Sequence, residues 1–287
     1  MRIAGVPRAL FNGKPREHSE ASRHARRAIR RSFSLSQIVF IVAILFLFLP
    51  MVVLVVYSFN EGAGMHWTGF SLRWYRQMFA TRELWRAFGN SVIIALSSAA
   101  VATVIGTIGA IGVNWYRFRL RTYTQTISFL PMILPEIIVG VSLAIFFASV
   151  GVPRGLLTVF IAHATFSLPF VFLMVTARLE EFDFSIMEAA RDLGASERQA
   201  LFRVTVPVCM PGIFAGLLTA VTLSLEDFVI TFFVAGAGSS TLPIFVFTAM
   251  RRGGMAPVIS ALSVAMIAGT VLLCLALRKF LKHVASK

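Results

Sequence analysis

Charge is scarce in this sequence, and negative charge scarcer still. Thirteen Asp or Glu stand against 27 Lys or Arg, charged residues make up 14% of the chain, and hydrophobic ones 57%. With so little polar surface and a mean hydropathy of +0.80, one large soluble core is excluded and a polytopic membrane protein is indicated. Cysteine is almost absent. Cys209 and Cys274 fall at or inside apolar segments, which excludes a disulfide framework and any metal-ligand spacing. No G-x-x-x-x-G-K-S/T run occurs, so the chain carries no phosphate-binding loop, and if ATP drives it another subunit binds the ATP. Basic residues inside the apolar segments are missing too, which leaves Glu136, Glu226 and Asp227 without an internal counter-charge. An ionised carboxylate at the centre of a membrane helix costs about 2.5–3.5 kcal/mol, so each of these acids needs a partner or a function.

What is present is a series of six apolar segments, near 38–57, 91–113, 127–150, 155–177, 208–235 and 257–277. Twenty uncharged residues make roughly 30 Å of helix, enough to cross a bilayer. The expected fold is therefore an all-α membrane protein of six transmembrane helices over residues 37–280. Gly106, Gly109 and Gly112 recur every three residues and predict close approach by a second helix. Pro131 and Pro135 each remove a backbone donor and predict a bend or break in the third segment. The apolar run 242–250 is too short to cross and reads as re-entrant or interfacial. Trp67, Trp74, Tyr75 and Trp85 suit a stretch lying along the outer interface.

Residues 1–36 hold nine Lys or Arg against Glu17 and Glu20 and lack apolar periodicity. Directly before a membrane helix, such a stretch reads as a disordered cytoplasmic anchor and not as a nucleic-acid arm or a cleaved signal. With the N-terminus inside, 20 of the 27 basic residues lie on inner segments, so both termini are expected in the cytoplasm, with 281–287 as a short tail.

The most structured polar stretch is 185–207. Ser185 with Glu188 and Ser196 with Gln199 have capping-box spacing, and Gly194 sits where a helix ends in the left-handed region. Two short helices joined by a glycine turn follow. The first starts at Ile186, the second stops before Pro207, and Ala189, Ala190, Leu193, Leu201 and Phe202 supply an apolar face. A DNA-reading helix-turn-helix has the same outline. Membrane-length flanks and six acids against two arginines over 180–198 argue against phosphate contact. Such a connection reads better as a docking surface for a soluble partner.

Glu188-Ala189-Ala190, three residues, Gly194, nine residues, then Val204-x-Val206-Pro207 resembles the EAA loop of ABC importer permeases, with valines in place of the family's Ile and Leu. Together with Thr222-Leu-Ser-Leu-Glu-Asp-Phe228 and Thr241-Leu-Pro243, it resembles the spermidine/putrescine branch over roughly 37–280. The resemblance implies a non-catalytic inner-membrane subunit without cofactor or metal that forms half of a pathway for a cationic polyamine-like solute. The implied partners are a second permease subunit, a cytoplasmic ABC ATPase dimer, an extracytoplasmic solute-binding protein and membrane lipid, with no nucleic acid. The ATPase would dock on the loop 178–207 through Glu188, Ala189, Ala190, Asp192, Gly194 and Pro207.

The acids refine that expectation. Glu226 and Asp227 are adjacent, so on a helix they point about 100° apart and cannot face one point. Glu226 shares a stripe with Thr222 and Thr219, and Asp227 one with Ser224 and Thr231. One stripe is expected to face the solute path, with Glu136 as a further candidate, and the other a neighbouring helix. An acid followed by Phe is common across the wider superfamily, which makes Asp227 the weaker specificity candidate. His163 reads as a helix–helix hydrogen-bond partner. Two other readings stay open: a permease of the same family for another small solute, such as an amino acid, an opine-like amine or a metal ion, and an ion-coupled secondary carrier using Glu226 and Asp227.

Overall fold

The computed structural model describes residues 17–285 except 65, 116, 117, 182, 184, 253 and 254, and for 17–34, 273 and 276–285 it describes the backbone alone. The described residues are helical throughout, apart from turns and one isolated antiparallel bridge between Asn60 and Phe70. They divide into two compact units, one formed by 1–71 with 263–287 and the other by 72–262.

The first unit is built on α1 (Glu17–Ser58) and the end of α12 (Ala256–Ala285). α1 is already helical at Glu17, inside the basic stretch that composition assigned to a disordered tail; residues 1–16 lie outside the described residues. From Leu35 on it is apolar on every side, with Leu45, Phe46 and Leu49 more than 60% exposed. A helix without a polar face needs lipid or another helix as its surroundings. The loop after it is organised by Asn60. The Asn60 Nδ2 donates to the carbonyls of Gly64 and His66, and its Oδ1 accepts from the Thr68 N–H and hydroxyl.

The second unit packs around α3 (Arg82–Trp115), α6 (Leu156–Glu180) and α9 (Val206–Glu226). Small residues let these helices close up. A Cβ on Gly106 would stand 3.0 Å from Val171, one on Gly216 3.1 Å from the Val171 Cα, and one on Gly212 2.9 Å from the Met174 carbonyl oxygen. The glycine series of α3 is thus used in part: a Cβ on Gly106 or Gly109 would meet Val171 or Phe172, whereas one on Gly112 would meet nothing outside its own helix within 4 Å. Ala99, Ala102, Phe172, Val175, Cys209 and Ala220 complete this core.

The third apolar segment breaks once. Pro131 is absorbed inside α4 (Arg121–Ile133), and the break falls at Leu134-Pro135, where α5 (Glu136–Ser149) leaves at 105°. Proline disfavours the helical region for the residue before it, and Leu134 is accordingly extended (ψ 138°). The fifth segment, read as continuous to 235, also breaks. α9 ends at Glu226, Asp227 is extended (ψ 122°), and α10 (Val229–Val234) begins anew. The apolar run 242–250 forms a short helix, α11 (Leu242–Arg252). Before α3 lies α2 (Arg73–Ala80), in which Trp74 is buried, whereas Trp67 and Trp85 are exposed.

Among the described residues four helices are long and apolar enough to cross a membrane: Leu35–Ser58, Arg82–Trp115, Leu156–Glu180 and Glu197–Glu226. The bent pair α4–α5 brings the number to five if counted as one span, and Ala256–Leu272 is a shorter apolar helix. The fourth of these helices corrects the stop expected before Pro207. A π-helical turn, Leu201–Thr205, joins α8 (Glu197–Ala200) to α9, with the Val206 N–H bonded to the Leu201 carbonyl. Widening the helix by one residue accommodates a proline, which has no N–H to give, without ending the helix.

Candidate functional site

Two places in the second unit hold the residues singled out by sequence: the connection between α6 and α9, and the polar groups around the α9–α10 break.

In the connection, α7 (Ser185–Asp192) ends in a reciprocal backbone cap. The Gly194 N–H donates to the Arg191 carbonyl (2.8 Å) and the Ala195 N–H to the Ala190 carbonyl (3.0 Å). This closure needs a positive φ, and Gly194 supplies +83°. The second capping box is formed: the Ser196 Oγ accepts from the Gln199 N–H, and the Gln199 Oε1 accepts from the Ser196 N–H. The first is not. α7 starts one residue early, at Ser185, whose N–H donates to the Asp183 carboxylate (2.9 Å). That bond, then the one from the Ser185 side chain, holds the Asp183 carboxyl below the usual carboxylate range. An Arg191–Glu197 ion pair (3.0 Å) straddles the turn.

The buried face of this helix-turn-helix also differs from expectation. Met187 and Ala200 pack against Trp115, Val204 and Val208. Leu193 (89% exposed), Phe202 and Ile186 point outward beside the exposed Glu188, Ala189 and Asp192, while Ala190 and Leu201 are half-buried. The apolar residues expected to face inward thus lie in part on the open surface, together with the acids. An apolar patch rimmed by charge is what a protein-docking surface offers.

At the α9–α10 break, Asp227 is buried and fully engaged. Its carboxylate accepts from the N–H groups of Ile230 (3.2 Å) and Thr231 (2.8 Å) and from the Thr231 hydroxyl (2.6 Å), which starts α10. His163 of α6 completes the set, its Nε2 3.1 Å from Asp227 and 2.8 Å from Thr231 Oγ1, its Nδ1 2.6 Å from Ser224 Oγ. Ser98 of α3 adds a hydroxyl 3.4 Å from Ser224. His163, Ser224, Thr231 and Ser98 are all at least 96% buried. A carboxylate with four donors has no free lone pair of consequence for a solute, so Asp227 holds helices together.

Glu226, one residue earlier, is exposed, as is Glu136 in the first turn of α5, and among the described residues neither has an ion-pair partner. The two neighbouring acids therefore divide, Asp227 to a helix contact and Glu226 to an exposed position. His163 is the interhelical partner expected. Sequence reading missed Ser98 and the capping role of Asp227. Ser98 lies 126 positions from its partner and carries no local signal. The helix break was legible only as an Asp in an otherwise apolar run.

The comparisons with known proteins agree with the stretches that carry this geometry. Residues 102–287 match the family model described as "Binding-protein-dependent transport system inner membrane component". The putrescine transport system permease protein PotI of Escherichia coli (strain K12) is 40% identical over 79% of this chain and 83% of its own length. The spermidine/putrescine transport system permease proteins PotC of Haemophilus influenzae and of E. coli (strain K12) are 38% and 36% identical, over 77% and 81% of this chain and 86% of each relative. Among solved structures, a bacterial ABC transporter involved in the import of alginate superimposes with a TM-score of 0.71 at 17% identity, covering 88% of this chain and 98% of that one. At that identity the likeness speaks for the fold. An all-helical, multi-pass chain matched by the family model over more than half its length, and by relatives well above 30% identity over most of it, belongs to the inner-membrane components of binding-protein-dependent transport systems, as a non-catalytic ABC permease subunit.

Proposed function

We propose that this chain forms half of the pathway by which an ABC importer admits a cationic, polyamine-like solute. One observation carries the reading: of two adjacent acids, Asp227 is sealed by His163 and the α10 backbone, whereas Glu226, like Glu136, is exposed and has no counter-charge among the described residues. Exposed carboxylates in a membrane helix are tolerated where they line an aqueous path and meet a cation there. The names of the relatives, putrescine and spermidine/putrescine permeases, agree with that charge.

In this reading six helices span the bilayer with both termini in the cytoplasm, α4–α5 forming one bent span and α12 the last. A second permease subunit supplies the other half of the path. A cytoplasmic ATPase dimer docks on the surface formed by Glu188, Ala189, Ala190, Asp192 and the turn at Gly194, with Pro207 carrying the movement into α9. ATPase closure switches the cavity between inward-facing and outward-facing states. A solute-binding protein delivers to the outer loops. An ion-coupled carrier that used Glu226 and Asp227 together would need both free to exchange an ion, and Asp227 is occupied by four donors.

The test is uptake of labelled putrescine and spermidine by cells lacking this chain, with the wild type, Glu226→Gln or Gly194→Pro returned. Uptake restored by the wild type, weakened by Glu226→Gln and abolished by Gly194→Pro at equal membrane levels is expected. Normal uptake by Glu226→Gln removes that residue from the path. Absence of polyamine uptake with the wild type moves the search to other small amines, amino acids and metal ions.

A further inference from the structure

We propose that His163 is a positioning residue for solute passage: it fixes Glu226 toward the path by holding Asp227 on the opposite side of the α9–α10 break. The inference rests on the reading of Glu226 as a path residue given above.

The hydrogen-bond network assigns the imidazole its roles. Ser224 has its hydroxyl 2.6 Å from Nδ1, and Asp227 and the Thr231 oxygen lie 3.1 and 2.8 Å from Nε2. One set of directions that satisfies all of them has Nε2–H donating to Asp227 and Thr231 and Nδ1 accepting from Ser224, whose oxygen accepts from Ser98. Three helices thus meet at one ring: α6 supplies it, α9 supplies Ser224, and α10 supplies Thr231. A second bond ties α6 to the far end of α10, from the Thr158 hydroxyl to the Val234 carbonyl (2.7 Å).

The consequence for Glu226 is geometric. The Asp227 N–H still closes the last turn of α9 on the Leu223 carbonyl (3.1 Å), while its side chain closes the first turn of α10. Asp227 is therefore held at both its backbone and its carboxylate, and the Cα–Cβ bond of the residue before it is fixed in direction. Successive helical residues point about 100° apart, so an inward Asp227 leaves Glu226 outward. At 2% exposure His163 does not touch a solute and acts only through this clamp. Without it, Asp227 keeps its backbone donors but loses its tie to α6. The break can then rotate and share Glu226 between the path and the interior.

The experiment uses the whole transporter in proteoliposomes, with its second permease, ATPase and binding protein. It reads labelled putrescine moved per ATP hydrolysed at saturating liganded binding protein. This ratio does not depend on how much complex has assembled, so a merely structural defect leaves it unchanged. Glu226→Gln and His163→Ala are each expected to lower it about tenfold, the scale of losing one charge-assisted hydrogen bond. His163→Gln, which keeps an N–H donor, is expected to recover most of the loss. The double variant His163→Ala/Glu226→Gln is expected to match Glu226→Gln alone. Losses that multiply in the double variant overturn the inference and leave Glu226 in the path. A His163→Ala ratio equal to wild type overturns it as well. A wild-type ratio for Glu226→Gln overturns the path reading and, with it, this inference. Should His163→Ala not assemble, Ser224→Ala removes the Nδ1 partner, and with it the acceptor of Ser98, and keeps the ring. It is expected to lower the ratio about threefold, masked again by Glu226→Gln, and an unchanged ratio counts against the clamp.

Discussion

Individual glycines in this chain do two different jobs, and substitutions separate them. Gly194 is needed for its conformation: φ is +83°, and nothing lies within 4 Å of where a Cβ would go. Gly194→Ala should therefore cost only the left-handed penalty, about 1–2 kcal/mol, and leave membrane insertion intact. Its expected effect is weaker co-purification of the proposed ATPase partner, with Gly194→Asn milder than Gly194→Ala because Asn tolerates that region. Gly236 is needed for closeness. A Cβ there would stand 2.0 Å from the Arg154 carbonyl oxygen, inside any permissible contact. Gly236→Ala must push two loops apart at a cost of about 1–3 kcal/mol, visible as a lower midpoint in thermal unfolding of the detergent-solubilised protein.

At the scale of the element, both helix breaks have a local chemical cause, and only one of them was legible as a break beforehand. Pro135 restricts Leu134, so the 105° bend was readable from a proline in an apolar run, although not its angle. Pro135→Ala lifts that restriction. Spin labels on Thr126 and Ala148 are then expected to report a longer and broader distance distribution as α4 and α5 become able to align, and an unchanged distribution would show that packing sets the bend instead. The α9–α10 break was legible only as an Asp in an otherwise apolar run: Asp227 caps α10 through its own carboxylate, and nothing local says that His163, 64 positions earlier, meets it there. Periodicity alone placed Ser224, Asp227 and Thr231 on one stripe but gave no reason to stop the helix.

α7 offers a third element-scale test. Its first turn is anchored on the Asp183 carboxylate, whose pKa lies below the unfolded value because the Ser185 N–H bonds its charged form. A depressed carboxylate contributes fully above its unfolded pKa and is lost as pH falls through the folded one. Hydrogen exchange at the α7 amides should therefore stay flat, after correction for intrinsic rates, from neutral pH down to the usual carboxylate range. It should rise below that range, and Asp183→Asn should abolish the rise.

For the whole molecule, the distribution of basic residues makes a topological prediction. With 20 of 27 on one set of segments, the connection between α6 and α9 is expected to face the cytoplasm and the loop before α11 the outside. In a Cys274→Ser background, where the remaining Cys209 is buried, a membrane-impermeant maleimide should label Ala237→Cys on intact spheroplasts. It should label Ser196→Cys only after the membrane is opened. Labelling of Ser196→Cys from outside, with Ala237→Cys protected until the membrane is opened, would reverse the orientation.

Composition and periodicity by themselves determined the membrane class, the apolar segments, the glycine-capped turn and the three acids, since each rests on the bilayer's demand for apolar length or on a backbone rule spanning a few residues. Tertiary structure decided what those residues face. Asp227 and Glu226 are chemically near-equivalent neighbours, and a ring contributed from α6 seals one and leaves the other open. Leu193 and Phe202 belong by type in a core, yet Met187 and Ala200 fill the available volume against Trp115 and leave them on the surface. Both outcomes depend on contacts between residues far apart in the chain, and such contacts leave no local pattern to read.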